Sequence, residues 1–285
     1  MQSLTLKSPA KLNLFLKVLN KRPDGYHNLE TIFERIDLCD VVGFRSNRSG
    51  RIRIACDHPE VPLGPKNLVY KAFQLLQKEF GIREGVDIKI AKRIPVAAGL
   101  AGGSSNAATT LLGLNQIWGL GLPRQKLVEL GARLGSDVPF FLYDASWALG
   151  TGRGDQIKPL DIRAKLWHII VVPRRKMYSR EVFTALNLEL TKNKHDVNIL
   201  LRSLRKGSLE KAARLLFNDL ETSILGICPK LLTVKKRLQA CDVPGVAFSG
   251  SGPAVYGLVT SQEKARHLQK NLNRFYKQVF TAATL

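Results

Sequence analysis

The sequence predicts an α+β protein built from two lobes, with the boundary near residue 160. Three observations support this fold class. The first 60 or so residues alternate apolar and polar side chains as strands do, and segments with helical spacing follow them. A buried-type strand, Leu166–Val172, then opens a second half that is mostly helical. We therefore expect an N-terminal lobe at residues 1–160 and a C-terminal lobe at residues 161–285.

The N-terminal lobe is expected to begin with strands and to continue with helices. On the first strand Leu12, Leu14 and Leu16 face one way, while the residues between them face the other. The further elements predicted in this lobe are a helix over Asn67–Phe80, a strand over Val86–Ile90, a helix ending near Trp118, a helix over Pro123–Leu134 and a strand in SWALGTGRGD.

The C-terminal lobe is expected to be mainly helical after its first strand. The predicted helices are Arg180–Leu188, Val197–Arg205, Leu209–Phe217 and Pro229–Ala240. Two short strands flank the sequence FSGSGP, and a last helix and strand end the chain.

Composition excludes several classes of protein. The chain has 285 residues, 45% of them hydrophobic, and contains no apolar run of the about 20 residues that a membrane span needs. The N-terminus lacks the apolar core of a signal peptide. Four scattered cysteines form no C-x-x-C pair, which argues against a disulfide scaffold or a zinc ribbon. We expect a cytoplasmic protein with no membrane partner.

The charge is unusually positive, because 44 Lys and Arg residues outnumber 23 acidic residues and give a net charge of +21. Such a balance can indicate a nucleic acid, a membrane or an anionic substrate as partner. The basic clusters are not interleaved with the aromatic residues that a base-stacking surface uses. We therefore expect no specific nucleic-acid partner.

The stretch IPVAAGLAGGSSNAATTLLGL, Ile94–Leu114, joins the predicted strand to a helix. Its middle, Gly99–Ser105, contains only glycine, alanine, serine and one leucine. The first turn of a helix offers unpaired N–H groups, and glycines let an anion approach them closely, so this order predicts a phosphate site. The alternative is a flexible turn before a capped helix. The stretch matches neither a Walker A loop nor a Rossmann fingerprint.

Three other stretches carry candidate chemistry: PAKLNLFLKVLNKRPDGYHNL (Pro9–Leu29), GSDVPFF (Gly135–Phe141) and SGSGPAVYG (Ser249–Gly257). Asp137 among apolar neighbours fits either a helix cap or a catalytic carboxylate with a tuned pKa. Lys11 on the first strand fits a solvent-facing edge lysine when it is taken alone.

Taken together, in this order and spacing, the four stretches resemble the GHMP small-molecule kinases, and more narrowly their branch that acts on 4-diphosphocytidyl-2-C-methyl-D-erythritol. The doubled glycine before the serines, Gly102-Gly103, is similar to that branch. Ala101 and Asp155 depart from the family, which often has glycine and glutamate there. The resemblance implies a ribosomal-S5-domain-2-like N-terminal lobe and a ferredoxin-like C-terminal lobe. It also implies transfer of phosphate from ATP to the 2-hydroxyl of the cytidyl substrate, in the non-mevalonate route to isoprenoid precursors.

The resemblance also implies the site residues. Lys11 and Asp137 would be catalytic, with Asp137 as general base and Lys11 as electrostatic stabiliser. ATP would be bound by Pro95, Val96, Ala97, Ala98, Gly99, Leu100, Ala101, Gly102, Gly103, Ser104 and Ser105, with Asn67 and Leu68 on the adenine side. The cytidyl substrate, CDP-methylerythritol, would be bound by Asn13, Tyr26, His27, Phe183, Gly250, Ser251 and Gly252. Mg²⁺ would accompany ATP, with Ser105 as a candidate ligand.

Some alternatives stay open at this point. Phe183 also fits a core residue on a short helix, because apolar residues at helical spacing usually face a core. The chain could be another GHMP kinase that acts on mevalonate, homoserine or a sugar, and a basic nucleic-acid-binding protein with an S5-like fold is the more distant alternative. The protein is expected to be a monomer or a weak dimer.

Overall fold

A computed structural model of the chain describes residues 2–188 and 195–285. The strands are β1 (Ser3–Lys21), β2 (His27–Asn47), β3 (Ile52–Cys56), β4 (Gly85–Ala91), β5 (Trp147–Thr151), β6 (Gln156–Pro159), β7 (Trp167–Val171), β8 (Phe217–Asn218), β9 (Gly245–Phe248), β10 (Val255–Val259) and β11 (Val279–Ala283). The helices are α1 (Leu68–Phe80), α2 (Gly102–Ile117), α3 (Arg124–Leu134), α4 (Val138–Leu142), α5 (Ser179–Thr184), α6 (Val197–Arg205), α7 (Leu209–Arg214), α8 (Glu221–Ile227), α9 (Leu231–Gln239) and α10 (Gln262–Leu272). The mixture of strands and helices confirms the predicted α+β class.

The chain divides into two compact units that interleave in sequence. Unit 1 contains Met1–Ala10, Cys39–Val96 and Ala101–Asp144, and unit 2 contains Lys11–Leu38, Ala97–Leu100 and Ala145–Leu285. The long strands β1 and β2 contribute one end to each unit, so the units do not correspond to a single cut of the chain. The lobes 1–160 and 161–285 therefore do not coincide with these units and stay a prediction.

Unit 1 combines a small sheet with four helices. Strand β4 pairs antiparallel with Val41–Asn47 of β2 and parallel with β3. Helices α1, α2, α3 and α4 pack against one another. Helix α1 begins at a capped end, where the side chain of Asn67 accepts a hydrogen bond from the N–H of Val69, and it ends at Gly81 in the left-handed region.

Unit 2 contains two groups of paired strands. In the first, Thr31–Glu34 of β2 pairs antiparallel with β5, which pairs with β6, and Phe15 and Leu16 of β1 pair parallel with β8. The second is a four-stranded antiparallel sheet in the order β11-β7-β10-β9. Helices α9 and α10 pack against this sheet, and the hydrophobic core of the unit includes Ile169, Val255 and Leu268.

Several details differ from the sequence-based expectations. The helix predicted over Arg180–Leu188 spans only Ser179–Thr184. Strand β1 is buried at every position from Ala10 to Leu16, so the alternation of its side chains does not mark an exposed face. The helix predicted over Leu209–Phe217 ends at Arg214, since Phe217 and Asn218 form a strand beside β1. Among the residues that the structure describes, no helix is long and apolar enough to cross a membrane.

Candidate active site

Lys11 of unit 2 is a buried cation, with only 3% of its surface exposed. Its ammonium donates to the side-chain oxygen of Asn13 and to the carbonyl oxygen of Gly99, the latter at 2.9 Å. The backbone N–H of Lys11 donates to the carbonyl of Leu100 at 3.2 Å. The interpretation of Lys11 as a solvent-facing edge lysine is therefore wrong. A buried cation needs nearby oxygen acceptors, and these contacts supply them.

Asn13 lies two residues further along β1 and, besides its contact with Lys11, is held by Thr31 and Tyr256 of unit 2. Its amide nitrogen donates to the hydroxyl of Thr31 at 2.7 Å, and that hydroxyl donates to the carbonyl of Phe15. The phenol of Tyr256 donates to the backbone carbonyl of Asn13 at 2.9 Å. These contacts fix the side-chain amide of Asn13 with its oxygen toward Lys11.

The SGSGP turn packs directly on the segment Ala97–Leu100, and both belong to unit 2. The hydroxyl of Ser249 donates to the carbonyl of Gly99 at 3.0 Å, and the N–H of Ala254 donates to the carbonyl of Ala98 at 3.2 Å. A Cβ on Gly99 would lie 2.1 Å from the carbonyl oxygen of Ser249, and one on Gly252 would lie 2.1 Å from the backbone of Ala98. Only glycine permits so close a backbone approach.

Gly250 completes the arrangement around Lys11. It adopts a φ of +56°, and a Cβ at this position would lie 3.0 Å from both the Lys11 ammonium and the Asn13 side-chain oxygen. The amide of Asn218 donates to the carbonyl of Gly250 at 2.8 Å and so holds the turn in place. Lys11, Asn13, Gly99 and Gly250, which the sequence analysis assigned separately, are thus brought together within unit 2.

The second part of the glycine stretch forms the start of α2 in unit 1. The cap residue Ala101 is in the left-handed region with a φ of +54°, and no side chain caps the helix. The predicted alternative of a helix capped by a serine is therefore wrong. The first N–H groups of an α-helix have no partner within the helix, so those at Gly102, Gly103 and Ser104 can serve an anion. Gly103 is exposed, and a Cβ there would meet nothing within 4 Å.

Ser105 does not fit the role of a metal ligand. It is fully buried, and its hydroxyl lies 2.8 Å from the hydroxyl of Ser8. A magnesium ligand needs an oxygen that can face the ion and its water shell, which a buried hydroxyl paired with another hydroxyl does not offer. In residues 2–188 and 195–285 there is no cluster of three or more His, Cys, Asp or Glu residues that could hold a metal ion.

Asp137 of unit 1 immediately precedes α4 and is half-buried. Its side chain makes no capping hydrogen bond to that helix, so the helix-cap interpretation is not supported. The residues that follow, Val138–Leu142, are all buried. Helix α4 is pressed against α3, since a Cβ on Gly131 would lie 2.6 Å from the Leu142 side chain. The carboxylate of Asp137 therefore lies at the start of a buried apolar helix that is packed tightly against α3.

On the predicted adenine side, Asn67 uses both ends of its amide within the protein. Its oxygen caps α1, and its nitrogen donates to the carbonyl of Pro62 at 2.6 Å. Leu68 is the first residue of α1. Of the other residues predicted to bind ATP, Pro95 and Val96 belong to unit 1, and Ala97 with a φ of +55° begins the segment that packs on the SGSGP turn. The role of these residues toward ATP stays a prediction.

The aromatic residues predicted to hold a base lie in unit 2. The rings of His27 and Phe183 stack, with centroids 5.3 Å apart and planes 24° apart. Tyr26 is 54% exposed and carries the guanidinium of Arg153 over its ring at 5.0 Å. The structure thus places His27 rather than Tyr26 on the ring of Phe183. Phe183 also packs, partly buried, against the hydrophobic core of the unit, which supports its interpretation as a core residue. Its contact with a base stays a prediction.

Two further features bear on this region. Burial lowers the pKa of His27 from its ordinary value, and the charge of Lys21 lowers it further, which favours the neutral imidazole. The hydroxyl of Ser251 lies 2.7 Å from that of Ser179, the first residue of α5. The SGSGP turn is therefore linked to the helix that carries Phe183.

Comparison with known proteins gives the family. A model described as the GHMP kinases N terminal domain matches residues 67–145, and one described as GHMP kinases C terminal matches residues 200–278. A 4-diphosphocytidyl-2-C-methyl-D-erythritol kinase from Brevibacillus brevis is 41% identical over 282 residues, covering 99% of this chain and 96% of the relative. The chain belongs to this kinase family, a branch of the GHMP kinases.

Solved structures agree with that membership. A 4-(cytidine 5'-diphospho)-2C-methyl-D-erythritol kinase is 32% identical and superposes with a TM-score of 0.84, with 98% of each chain covered. The two-lobed GHMP fold expected from the sequence is thereby confirmed. A mevalonate kinase from L. major is 16% identical with a TM-score of 0.77, covering 99% of this chain and 96% of that chain, and at that identity it supports the fold alone.

Sequence reasoning missed the residues that position the site of this GHMP kinase. Thr31 and Tyr256 hold Asn13 but lie 18 and 243 residues away from it in the chain. In the sequence, Thr31 and Tyr256 look like any other polar or aromatic residue inside a strand. No local pattern shows which residue a strand will meet across a sheet.

Proposed function

We propose that this chain transfers the γ-phosphoryl group of ATP to the 2-hydroxyl of 4-diphosphocytidyl-2-C-methyl-D-erythritol, with Asp137 as general base and Lys11 as electrostatic stabiliser. The observation that carries the proposal is the 41% identity to a kinase of that name over 99% of the chain. Mevalonate, homoserine and sugar kinases are the alternatives from the same superfamily.

An alcohol is a weak nucleophile at neutral pH, because its pKa lies far above 7. A carboxylate within hydrogen-bond reach can take the proton as the bond to phosphorus forms. Asp137 suits this role, because its side chain does not cap a helix and the buried apolar helix that follows it fixes its position. As the new bond to the γ-phosphorus forms, the bond from that phosphorus to the β–γ bridging oxygen breaks and ADP leaves. Asp137 then holds the proton, and the substrate oxygen becomes a phosphate ester oxygen.

Lys11 contributes positive charge rather than proton transfer. Phosphoryl transfer depends mainly on positioning and on stabilising the charge of the transferred group. The ammonium of Lys11 is held at a fixed place by Asn13 and by the carbonyl of Gly99, so little reorganisation is needed during the reaction. The loss of either Lys11 or Asp137 is expected to be severe, because each contact of this kind supplies a few kcal/mol of barrier lowering.

ATP is proposed to bind through the glycine stretch. The N–H groups of the first turn of α2 and the positive end of its dipole favour the phosphates. Mg²⁺ would accompany ATP and offset the negative charge of its phosphates, and the buried hydroxyl of Ser105, paired with that of Ser8, is not proposed as a ligand. The cytosine ring of the second substrate is proposed to lie between Tyr26 and Phe183, and the neutral His27 is proposed to recognise the edge of the base.

The first test replaces Asp137 by asparagine. Asp137→Asn keeps the shape of the side chain but cannot accept the proton, so turnover is expected to be lost, while the affinity for an ATP analogue and the melting temperature stay near wild type. Turnover is followed by ³¹P NMR with the cytidyl substrate, and affinity is measured by calorimetry.

Two controls sharpen this experiment. Asp144→Asn neutralises an exposed carboxylate of the same unit and is expected to leave turnover unchanged. Mevalonate and homoserine are offered to the wild-type enzyme in separate assays. An Asp137→Asn variant that retains a tenth of wild-type turnover would remove Asp137 from the role of base, and preference for mevalonate or homoserine would overturn the proposed substrate.

A further inference from the structure

Asp40, on β2 in unit 1, is fully buried. One of its oxygens accepts hydrogen bonds from the backbone N–H groups of Arg93 and Ile94, at 2.7 and 2.8 Å. Arg93 directly precedes the stretch Ile94–Leu114, and Ile94 is its first residue. The contact therefore fixes the backbone at the entrance to that stretch.

The other oxygen of Asp40 reaches helix α2. It accepts from the amide nitrogen of Asn106 at 2.9 Å and forms an ion pair with the ammonium of Lys92, whose side chain is 4% exposed. The Lys92 ammonium also lies 3.3 Å from the side-chain oxygen of Asn106. The amide nitrogen of Asn106 lies 2.8 Å from the hydroxyl of Ser8, which in turn contacts Ser105. One buried carboxylate thus links the segment before the stretch to the helix after it.

The start of α2 has little room to move against this network. A Cβ on Gly102 would lie 2.8 Å from the Lys92 ammonium and 2.9 Å from the Ile94 side chain. The ion pair is neutral as a whole, so Asp40 does not add a net negative charge beside a helix end that is to receive phosphates. A buried carboxylate with four partners is also costly to rearrange, which makes the arrangement rigid.

We infer that Asp40 is a positioning residue for ATP, acting through Asn106 to hold the first turn of α2 in the orientation that presents its N–H groups to the phosphates. This inference rests on the proposed function, which places the phosphates at that turn. It predicts that Asp40 and Asn106 affect the affinity for ATP but not the affinity for the cytidyl substrate.

The test uses Asn106→Leu, which removes the amide at similar volume and leaves the ion pair of Asp40 and Lys92 intact. The dissociation constant of an ATP analogue and the KM for ATP are expected to rise about tenfold, as for the loss of one hydrogen bond to a charged group. The KM for the cytidyl substrate is expected to stay within a factor of about two. A double variant, Asp40→Asn with Lys92→Met, removes both charges together, avoids an unpaired buried lysine, and is expected to show the same selective loss.

Asn115→Leu is the matched control, because Asn115 lies on the same helix and exchanges two hydrogen bonds with the backbone of Leu122. It is expected to lower the melting temperature without changing ATP affinity. The inference is overturned if Asn106→Leu and the double variant bind the analogue as the wild type does, or if the KM values of both substrates rise together. Failure of the wild type itself to bind the analogue would instead overturn the proposed function, and this inference with it.

Discussion

At the scale of single residues, Tyr26 and Phe183 differ in a way that makes the proposed base site testable. Tyr26 is 54% exposed, whereas Phe183 also packs against the core of unit 2. A base–aromatic contact contributes about 1–3 kcal/mol, so Tyr26→Ala is expected to raise the KM for the cytidyl substrate about tenfold to a hundredfold. The KM for ATP and the melting temperature are expected to stay near wild type.

Phe183→Ala is expected to raise the same KM and also to lower the melting temperature, because it removes a partly buried ring. Steady-state kinetics with each substrate varied in turn, together with thermal unfolding, check both variants. An unchanged cytidyl KM in Tyr26→Ala would exclude the two-ring arrangement and leave the observed stack of His27 on Phe183 as the aromatic feature of the site.

Lys11 shows how far residue-scale reasoning from sequence reaches. Its place among alternating leucines indicates a strand, and the structure confirms the strand. The pattern does not reveal that the ammonium is buried, because its acceptor on Gly99 lies 88 residues along the chain. Only the resemblance of whole motifs pointed to Lys11. The local pattern by itself favoured an exposed lysine.

At the scale of elements, sequence prediction succeeded where the local signals agree. Helix α6 spans Val197–Arg205 as predicted, because apolar spacing coincides with the capping side chain of Asp196. Sequence prediction failed where tertiary contacts determine whether a helix or a strand forms. Helix α8 carried no signal that we recognised, and β8 exists only because two residues pair with β1.

The phosphate site proposed at the start of α2 can be tested with a side chain at Gly103. Gly103→Val adds two methyl groups where the protein itself has no atom within 4 Å of a Cβ, so the helix is expected to form normally. The added methyl groups keep phosphate oxygens away from the N–H groups of the first turn. We expect the ATP analogue to bind at least about tenfold more weakly, which corresponds to about 1.4 kcal/mol.

Calorimetry with the ATP analogue and with the cytidyl substrate measures this effect, and circular dichroism checks the fold. Gly99→Ala provides the contrast, because its Cβ would lie 2.1 Å from the Ser249 carbonyl oxygen and is expected to disturb unit 2. Equal weakening of both ligands in Gly103→Val would mean a damaged fold rather than a blocked helix end.

At the scale of the whole molecule, the division into units could not be predicted from the order of elements. The boundary expected near residue 160 rests on the buried-type strand that opens a mostly helical second half. The compact units are instead built from several separate segments, one of them as short as Ala97–Leu100. That short segment belongs to unit 2 because its carbonyl groups bond to Lys11, Ser249 and Ala254. Such long-range backbone contacts leave no periodic signal in a sequence.

The net charge of +21 is also a property of the whole molecule, and neither the fold nor the proposed reaction requires it. Many of the cations of unit 2 stand on the exposed faces of helices, as Arg202 and Arg205 on α6 and Arg266 and Lys270 on α10 do. A surface of this kind attracts any polyanion without reading its sequence. It also raises the local concentration of ATP and of a diphosphate substrate.

Binding of a polyanion and turnover of the small substrates are expected to respond differently to salt. Release of counterions makes oligonucleotide binding fall steeply, by about three orders of magnitude or more between about 50 and about 200 mM salt when many phosphates are contacted. In the proposed mechanism, turnover relies on a few short-range contacts with buried groups such as Lys11, which salt screens much less. We therefore expect kcat/KM to fall less than about tenfold over the same range, while the fluorescence anisotropy of a labelled single-stranded oligonucleotide returns to its unbound value. Oligonucleotide binding that survives about 200 mM salt and prefers one sequence would show that the charge serves a specific nucleic-acid partner, contrary to the expectation from the sequence.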